Sequence, residues 1–173
     1  MQTSPRFYAQ NLLDFMTNSG VLYELHTHPA IFTVEEACQI DLHIPGTHTR
    51  NLFLRDHHET MFLVTLRHNT RIDLKKLSAL LGSGRLSFGS PNRLWTYLGV
   101  KPGSVTPLSI LNDTDKKVKL ILEQDMMDAE RINFHPLDNT MTIGMAPSQL
   151  MTILEEQGIK GHILDLNPAR PDA

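Results

Sequence analysis

Two apolar segments in the first half of the chain constrain its fold more than any other feature. Leucine, phenylalanine and valine dominate Asn51–Leu54 and Met61–Leu66, and the polar segment Asp56–Glu59 lies between them. Short apolar runs on either side of a polar turn are typical of two adjacent strands. The sequence therefore predicts a β-hairpin, around which the remaining elements must be arranged.

Short helices are predicted on both sides of this hairpin. Their predicted ranges are about Phe7–Ser19, Thr33 to about Asp41, Asp73–Leu81, Ser90–Leu98 and about Pro147–Gln157. Thr33 and Glu36 have the spacing of a capping box, Asp73 can cap the third helix, and glycines follow several last turns. Local signals thus predict where most helices begin and end.

Further strands are predicted at Val21–Leu25, Val118–Leu122, Ile132–His135 and Thr140–Ile143, and the tail Asn167–Ala173 is expected to fray. Lys101–Pro107 is too rich in proline and glycine for regular structure. Hairpins and short helices are interspersed without regular alternation. The sequence therefore predicts an α+β fold, a single domain over residues 1–173, with a mixed or largely antiparallel sheet and flanking helices.

Composition favours a soluble cytoplasmic protein without a membrane partner. The 173 residues are 40% hydrophobic, which suffices for one core, and Cys38 is the only cysteine, so no internal disulfide is expected. No apolar run is long enough to span a bilayer. The segment Met1–Phe15 is interrupted by polar residues and lacks the apolar core of a signal peptide.

Positive charge is concentrated in the middle of an acidic chain. The net charge is −3, yet nine lysines and arginines lie against three acids between Arg50 and Lys101, a local net charge of +6. Such a distribution suits a protein that meets phosphates on one face. Chance clustering of ordinary surface charge is the alternative.

Familiar catalytic and metal motifs are not found in the sequence. There is no G-x-S-x-G nucleophile motif, and Cys38 lies in an amphipathic helix, where a buried apolar role is expected. His26, His28 and the pair His57-His58 invite a zinc interpretation, but no further ligands are spaced to complete it. We therefore predict no metal site.

Four polar segments carry a resemblance to a known family. They are Gly46–Asp56, Arg85–Ser90, Gly103–Pro107 with Asn112-Asp113, and Asn133–Thr140. Together and in this order they are similar to the YbaK/PrdX family of aminoacyl-tRNA deacylases, which also occurs as the insertion domain of bacterial prolyl-tRNA synthetases. The resemblance runs from about Tyr23 to Gly158 and implies the fold of that editing domain, without a metal or organic cofactor.

The resemblance implies a trans-editing hydrolase that removes a small wrong amino acid from tRNA, with alanyl-tRNA(Pro) as the foremost substrate. Its expected partner is the aminoacylated acceptor end of tRNA, and prolyl-tRNA synthetase is a further candidate. An aminoacyl ester is already activated. A protein without a nucleophilic triad can therefore accelerate its cleavage by orienting the carbonyl against donors and positioning water.

The resemblance also implies roles for individual residues. Arg50, Gly103 and His135 are the expected catalytic residues, and Asn51, Ser104, Thr106, Pro107 and Asn139 the expected substrate-binding residues. The backbone of Gly103 would approach the aminoacyl carbonyl, and His135 would hydrogen-bond the substrate or its water. Taken without the resemblance, Gly103 and Asn51 are also ordinary turn residues.

One position departs from the family pattern. The family motif K-N-L-F-L has lysine where this chain has Arg50. Arginine keeps the positive charge but presents a larger planar fork of donors. This departure leaves open a second interpretation, a non-catalytic tRNA- or nucleic-acid-binding member of the family. A regulatory DNA-binding protein is less favoured because no helix-turn-helix is visible.

Overall fold

A computed structural model of the protein describes residues 5–172. The predicted domain spans 1–173, so its first four residues and Ala173 lie outside the described residues. The α-helices are α1 (Ala9–Asn18), α2 (Val34–Asp41), α3 (Leu74–Leu81), α4 (Pro91–Leu98), α5 (Gln124–Met127) and α6 (Pro147–Glu156). The strands are β1 (Glu24–Thr27), β2 (Thr47–Arg55), β3 (Met61–Arg67), β4 (Ser87–Phe88), β5 (Val118–Glu123), β6 (Ile132–Phe134), β7 (Met141–Met145) and β8 (Gly161–Leu164), and 3₁₀ helices lie at Pro107–Asn112 and Asn167–Ala169.

Helix ends follow the local signals in the sequence. The Asp73 carboxylate accepts hydrogen bonds from the first-turn N–H groups of α3, and the Ser90 hydroxyl accepts one at the start of α4. Gly82 and Gly99 end these helices with φ angles of 64° and 65°, a conformation that glycine adopts without a steric penalty. The predicted limits of α3 and α4 are confirmed.

The strands form one mixed sheet in the order β1-β7-β6-β2-β3-β5-β8, with β4 beside β2. The predicted hairpin is confirmed, since β2 and β3 pair antiparallel with Asn51 opposite Thr65 and Phe53 opposite Leu63. The pairs β1–β7, β6–β7 and β2–β4 are also antiparallel, whereas β2–β6, β3–β5 and β5–β8 are parallel. The predicted α+β fold is confirmed, in its mixed form.

Successive residues along each strand of the central hairpin enter different hydrophobic clusters on the two faces of the sheet. Phe53 and Leu63 belong to the larger cluster, with residues of α1, α4 and α6. Leu54 and Val64 belong to the smaller one, with residues of α3 and the C-terminal segment. Because successive side chains of a strand point to opposite faces, the hairpin supports both clusters at once.

Two sequence predictions are corrected by the structure. The first strand lies at Glu24–Thr27 rather than Val21–Leu25, where β7 provides its hydrogen-bond partner. The tail does not fray over Asn167–Asp172, because Ala169 is fully buried and its carbonyl accepts a hydrogen bond of 2.8 Å from the Asp73 N–H. No helix within residues 5–172 is long and apolar enough to cross a membrane.

The packed tail leads to a stability prediction. Leu166→Ala empties a site that is 1% exposed in the smaller cluster, so it should lower the free energy of unfolding by about 2–4 kcal/mol. Urea denaturation measures this change. The matched control Ile163→Ala alters a side chain that is 38% exposed and should cost about 1 kcal/mol or less. Equal losses for the two variants would contradict the packed tail.

Candidate functional site

A cavity of about 390 Å³ opens between α2 and strands β2, β6 and β7. The edge of β2 that faces away from β3 pairs with β6 at Thr47 and His48 and, further along, with β4 at Leu54 and Arg55. The Gly103–Pro107 loop reaches β2 between these pairings, where Asn51 donates a hydrogen bond to the Val105 carbonyl. The interrupted edge of β2 thus gives the loop access to the cavity.

Four of the predicted site residues line this cavity together. Arg50, Asn51, Gly103 and His135 are part of its wall, whereas Ser104, Thr106, Pro107 and Asn139 are not. Fully buried Thr106 precedes the 3₁₀ helix that Pro107 begins, and its side chain accepts the Leu108 N–H. Asn139 donates to the Ile31 carbonyl at 3.0 Å. Thr106 and Asn139 thus make hydrogen bonds within the protein, and the contact of all four residues with substrate stays a prediction.

The guanidinium of Arg50 is fixed at the cavity wall. Its Nη2 donates to the Thr70 carbonyl oxygen at 2.5 Å. Burial lowers the pKa of Arg50 from its ordinary value, and the negative charge of Glu123 opposes that shift. Since arginine does not deprotonate in proteins, the group is a cation that donates to the Thr70 carbonyl, and within residues 5–172 its other N–H groups have no hydrogen-bond partner.

A buried carboxylate fixes the segment that holds Arg50. Glu123 is 2% exposed and accepts hydrogen bonds from the Thr70 hydroxyl at 2.8 Å and from the backbone N–H and Nε of Arg67 at 2.9 and 3.0 Å. A buried charge is tolerated only with such partners. The network determines where the Thr70 carbonyl lies and therefore where Arg50 is held.

Asn51 ties the loop to the sheet. Its Nδ2 donates to the Val105 carbonyl at 2.9 Å, and its Oδ1 accepts the hydroxyl of fully buried Thr65 at 2.6 Å. Its predicted contact with the terminal nucleotide is not tested by this arrangement. In the structure, the Asn51 side chain holds the loop that contains Gly103 against the sheet.

Gly103 adopts a backbone conformation that side chains disfavour. Its φ is +91°, while a Cβ added there would lie 3.8 Å from the Asn139 side chain, an ordinary contact. Conformation rather than crowding therefore favours glycine at this position of the loop.

His135 has a defined protonation pattern. Its Nδ1 lies 2.7 Å from the Met141 carbonyl oxygen, which only accepts hydrogen bonds, so Nδ1 carries the proton and Nε2 is left as an acceptor. Burial lowers the pKa of His135 from its ordinary value. The ring is therefore neutral at pH 7.

Helix α2 covers the cavity instead of packing in the core. Thr33 caps it by accepting the Glu36 N–H at 3.1 Å, while the Glu36 carboxylate accepts the Phe32 N–H at 2.7 Å, one residue before the N-cap. The predicted buried role of Cys38 is wrong, because Cys38 is exposed and lines the cavity. A helix with one face toward a cavity has an apolar stripe like that of a core helix, so the pattern misled the prediction.

Several cavity residues were missed by sequence reasoning. Asp41 lies 3.1 Å from His48 Nδ1, and the Nε2 of His48 lies 3.0 Å from the Ile44 carbonyl, which joins the end of α2 to β2. Thr142, which also lines the cavity, has its hydroxyl 2.8 Å from Nε2 of His28. Each pair joins residues on different elements. Local periodicity contains no signal for such contacts.

The basic segment does not form one surface. Arg55 and Arg93 pair with Glu59 near the hairpin turn, where His57 and His58 stack with ring centroids 3.8 Å apart. Arg50, by contrast, lies at the cavity. Only part of the local positive charge is therefore near the candidate site.

Comparison with known proteins identifies the family. The aminoacyl-tRNA editing domain family matches residues 28–153, which include the whole described cavity wall. The chain belongs to this family.

Relatives of this editing domain agree in their names. A prolyl-tRNA synthetase associated domain-containing protein 1 from Danio rerio is 34% identical over 149 residues, covering 85% of this chain and 81% of the relative. The prolyl-tRNA editing protein ProX of Acetoanaerobium sticklandii is 34% identical over 137 residues, covering 79% of this chain and 84% of the relative. Both matches extend over most of each chain.

A solved structure shows the same fold. A candidate trans-editing enzyme for prolyl tRNA synthetase superposes with a TM-score of 0.66 at 20% identity, covering 90% of this chain and 92% of that one. At this identity the similarity concerns the fold. The implied editing-domain fold is thereby confirmed.

The tether made by Asn51 leads to a prediction. Asn51→Ala leaves the buried Thr65 hydroxyl without its acceptor, so the free energy of unfolding should fall by about 1–3 kcal/mol. Urea denaturation measures the loss. The control Asn92→Ala changes an exposed asparagine of α4 and should shift stability by about 0.5 kcal/mol or less. Similar losses in both variants would exclude a tether at Asn51.

The lowered pKa of His135 leads to a second prediction. The unfolded chain binds this proton more readily than the folded one, so His135 contributes stability above pH 6.5 that is lost as the pH falls through its folded-state pKa. An NMR titration of its Cε1 proton should give a midpoint below that of the same histidine in denaturant. A midpoint equal to or above the unfolded value would contradict the burial effect.

Proposed function

We propose that this protein is a trans-editing hydrolase that deacylates mischarged aminoacyl-tRNA, with alanyl-tRNA(Pro) as the foremost substrate. The observation that carries the proposal is the convergence of Arg50, Gly103 and neutral His135 at one cavity of a chain that belongs to the editing-domain family. The relative ProX is named a prolyl-tRNA editing protein, which supports this choice of substrate.

The proposed chemistry relies on positioning. The Gly103–Pro107 loop would orient the ester carbonyl through its backbone, and the unprotonated Nε2 of His135 would accept a hydrogen bond from the attacking water. Arg50 would bind the sugar-phosphate end of tRNA with the N–H groups that Thr70 does not occupy. No residue needs to form a covalent intermediate, because the aminoacyl ester is already activated.

Cavity shape would decide which amino acid is cleaved. Ile31, Val34, Ala37 and Phe134 give the wall an apolar part, and the volume of about 390 Å³ lies within the range of small-ligand sites. One methylene group changes discrimination by about 1–3 kcal/mol. An alanyl group would fit beside the terminal ribose, and the prolyl-tRNA(Pro) control tests whether cognate proline is excluded.

The proposed partner is the aminoacylated acceptor end of tRNA, and the proposed location is the cytoplasm. Prolyl-tRNA synthetase is a further proposed partner. The names of the relatives support it, because one is called prolyl-tRNA synthetase associated and the other is called a prolyl-tRNA editing protein.

A second candidate function is tRNA binding without turnover. The observation that favours it is Arg50, which stands in place of the family lysine and is held by the Thr70 carbonyl. A guanidinium fixed in this way binds phosphate well but presents its donors at different angles from an ammonium group. Recognition would then survive while catalysis is lost.

Single-turnover deacylation of alanyl-, seryl- and prolyl-tRNA(Pro) separates the two candidates. The natural protein should release alanine well above the buffer rate and leave prolyl-tRNA(Pro) largely intact. Arg50→Ala should lower the rate of alanine release about 100-fold, because it removes the cation at the substrate end of the cavity. Arg50→Lys should retain a rate within about tenfold of the natural protein.

The matched control is Arg85→Gln, which removes an exposed arginine at the other end of the hairpin. It should leave alanine release unchanged. Release no faster than buffer for every charged tRNA would sink the hydrolase proposal. Activity in Arg50→Lys alone would favour the binding protein.

A further inference from the structure

A second cleft lies beside the cavity and is lined by arginines. Its volume is about 490 Å³, and its walls come from the connection between β3 and α3 and from the C-terminal segment. Arg67 contributes from the end of β3, Arg71 from the connection that follows, and Arg170 from the tail. Three arginines around one opening are a typical arrangement for binding phosphate groups.

The C-terminal segment is fixed in this position. Lys76 Nζ donates to the Arg170 carbonyl at 3.1 Å and to the Asp172 carboxylate at 2.6 Å. The buried Ala169 immediately before Arg170 also holds the segment against α3. The cleft is therefore built by tertiary packing, with Arg170 on a segment that sequence reasoning had treated as loose.

The cations at the cleft outnumber the carboxylates by one, because Asp172, which also lines the cleft, pairs with Lys76 at 2.6 Å. Arg67 pairs with Glu123 and Asp125 at 3.0 and 3.1 Å, and Arg170 lies 3.5 Å from Asp125. Within the described part of the chain, the exposed Arg71 forms no ion pair within 4 Å. Its charge is therefore available to an external anion.

The cleft adjoins the cavity through shared backbone. His68 lines the cavity, while its neighbours Arg67 and Asn69 line the cleft. Thr70 also lines the cleft, and its carbonyl accepts the hydrogen bond from Arg50, which lines the cavity. A chain molecule whose end occupies the cavity can thus continue past Arg50 into the cleft.

We propose that this cleft binds a backbone phosphate of the nucleic-acid strand whose aminoacylated end enters the cavity, with Arg71 and Arg170 as the phosphate ligands. The proposal rests on the proposed function, because that function identifies the molecule in the cavity as the end of a tRNA. Phosphate neutralisation gives affinity without reading sequence. The cleft therefore sets how tightly tRNA is held, while the cavity selects the amino acid.

The test measures the affinity of uncharged tRNA(Pro) over a series of salt concentrations. Arg71→Gln and Arg170→Gln should each weaken binding about threefold to tenfold at low salt, and each should reduce the salt slope by about 1. The double variant should lose both contacts. Thermal unfolding of each variant checks that the fold is retained.

Arg85→Gln serves as the matched control, since it makes the same charge change at an exposed arginine remote from the cleft. It should bind tRNA(Pro) like the natural protein. Cleft variants that match the natural protein, or a control that loses as much affinity as they do, would overturn the proposal.

Parallel deacylation of alanyl-tRNA(Pro) by the natural protein separates the two proposals. Weakened binding in the cleft variants together with no hydrolysis by the natural protein would refute the hydrolase and retain the cleft. Hydrolysis by the natural protein with unaltered binding in the variants would refute the cleft alone.

Discussion

The pairing of β2 with β3 is the constraint on which the rest of the structure depends. Each strand places successive side chains in different hydrophobic clusters, as Phe53 and Leu54 show. A shift of the strand pairing by one residue would therefore exchange the two faces. The same register places Asn51 opposite Thr65. Core packing and the position of the site are therefore determined together.

The buried carboxylate of Glu123 extends this constraint to the surface. It lies at the end of β5 and binds Arg67 and Thr70, which lie at the end of β3 and in the connection after it. Because a buried charge requires complete hydrogen bonding, this connection has little freedom. The carbonyl that holds Arg50 and the wall of the arginine-lined cleft both belong to it.

Sequence prediction succeeded where the signals were local. Asp73 and Gly82 mark the ends of α3 through bonds and conformations within a few residues, and the two apolar runs mark the hairpin. It missed β8, whose parallel partner β5 lies far away in the sequence, with Leu120 opposite Gly161. Short edge strands carry weak patterns, and their distant partners decide where they form.

The sequence by itself determined the helix caps and the hairpin, and its family resemblance pointed to Arg50, Gly103 and His135, which line the cavity. Only the tertiary structure decided that Asn51 tethers the loop, that Cys38 faces a cavity and that Arg170 is held beside Arg71. The physical reason is the range of the interactions. Caps and turns are complete within a few residues, whereas a cavity exists only after strands and tail have packed together.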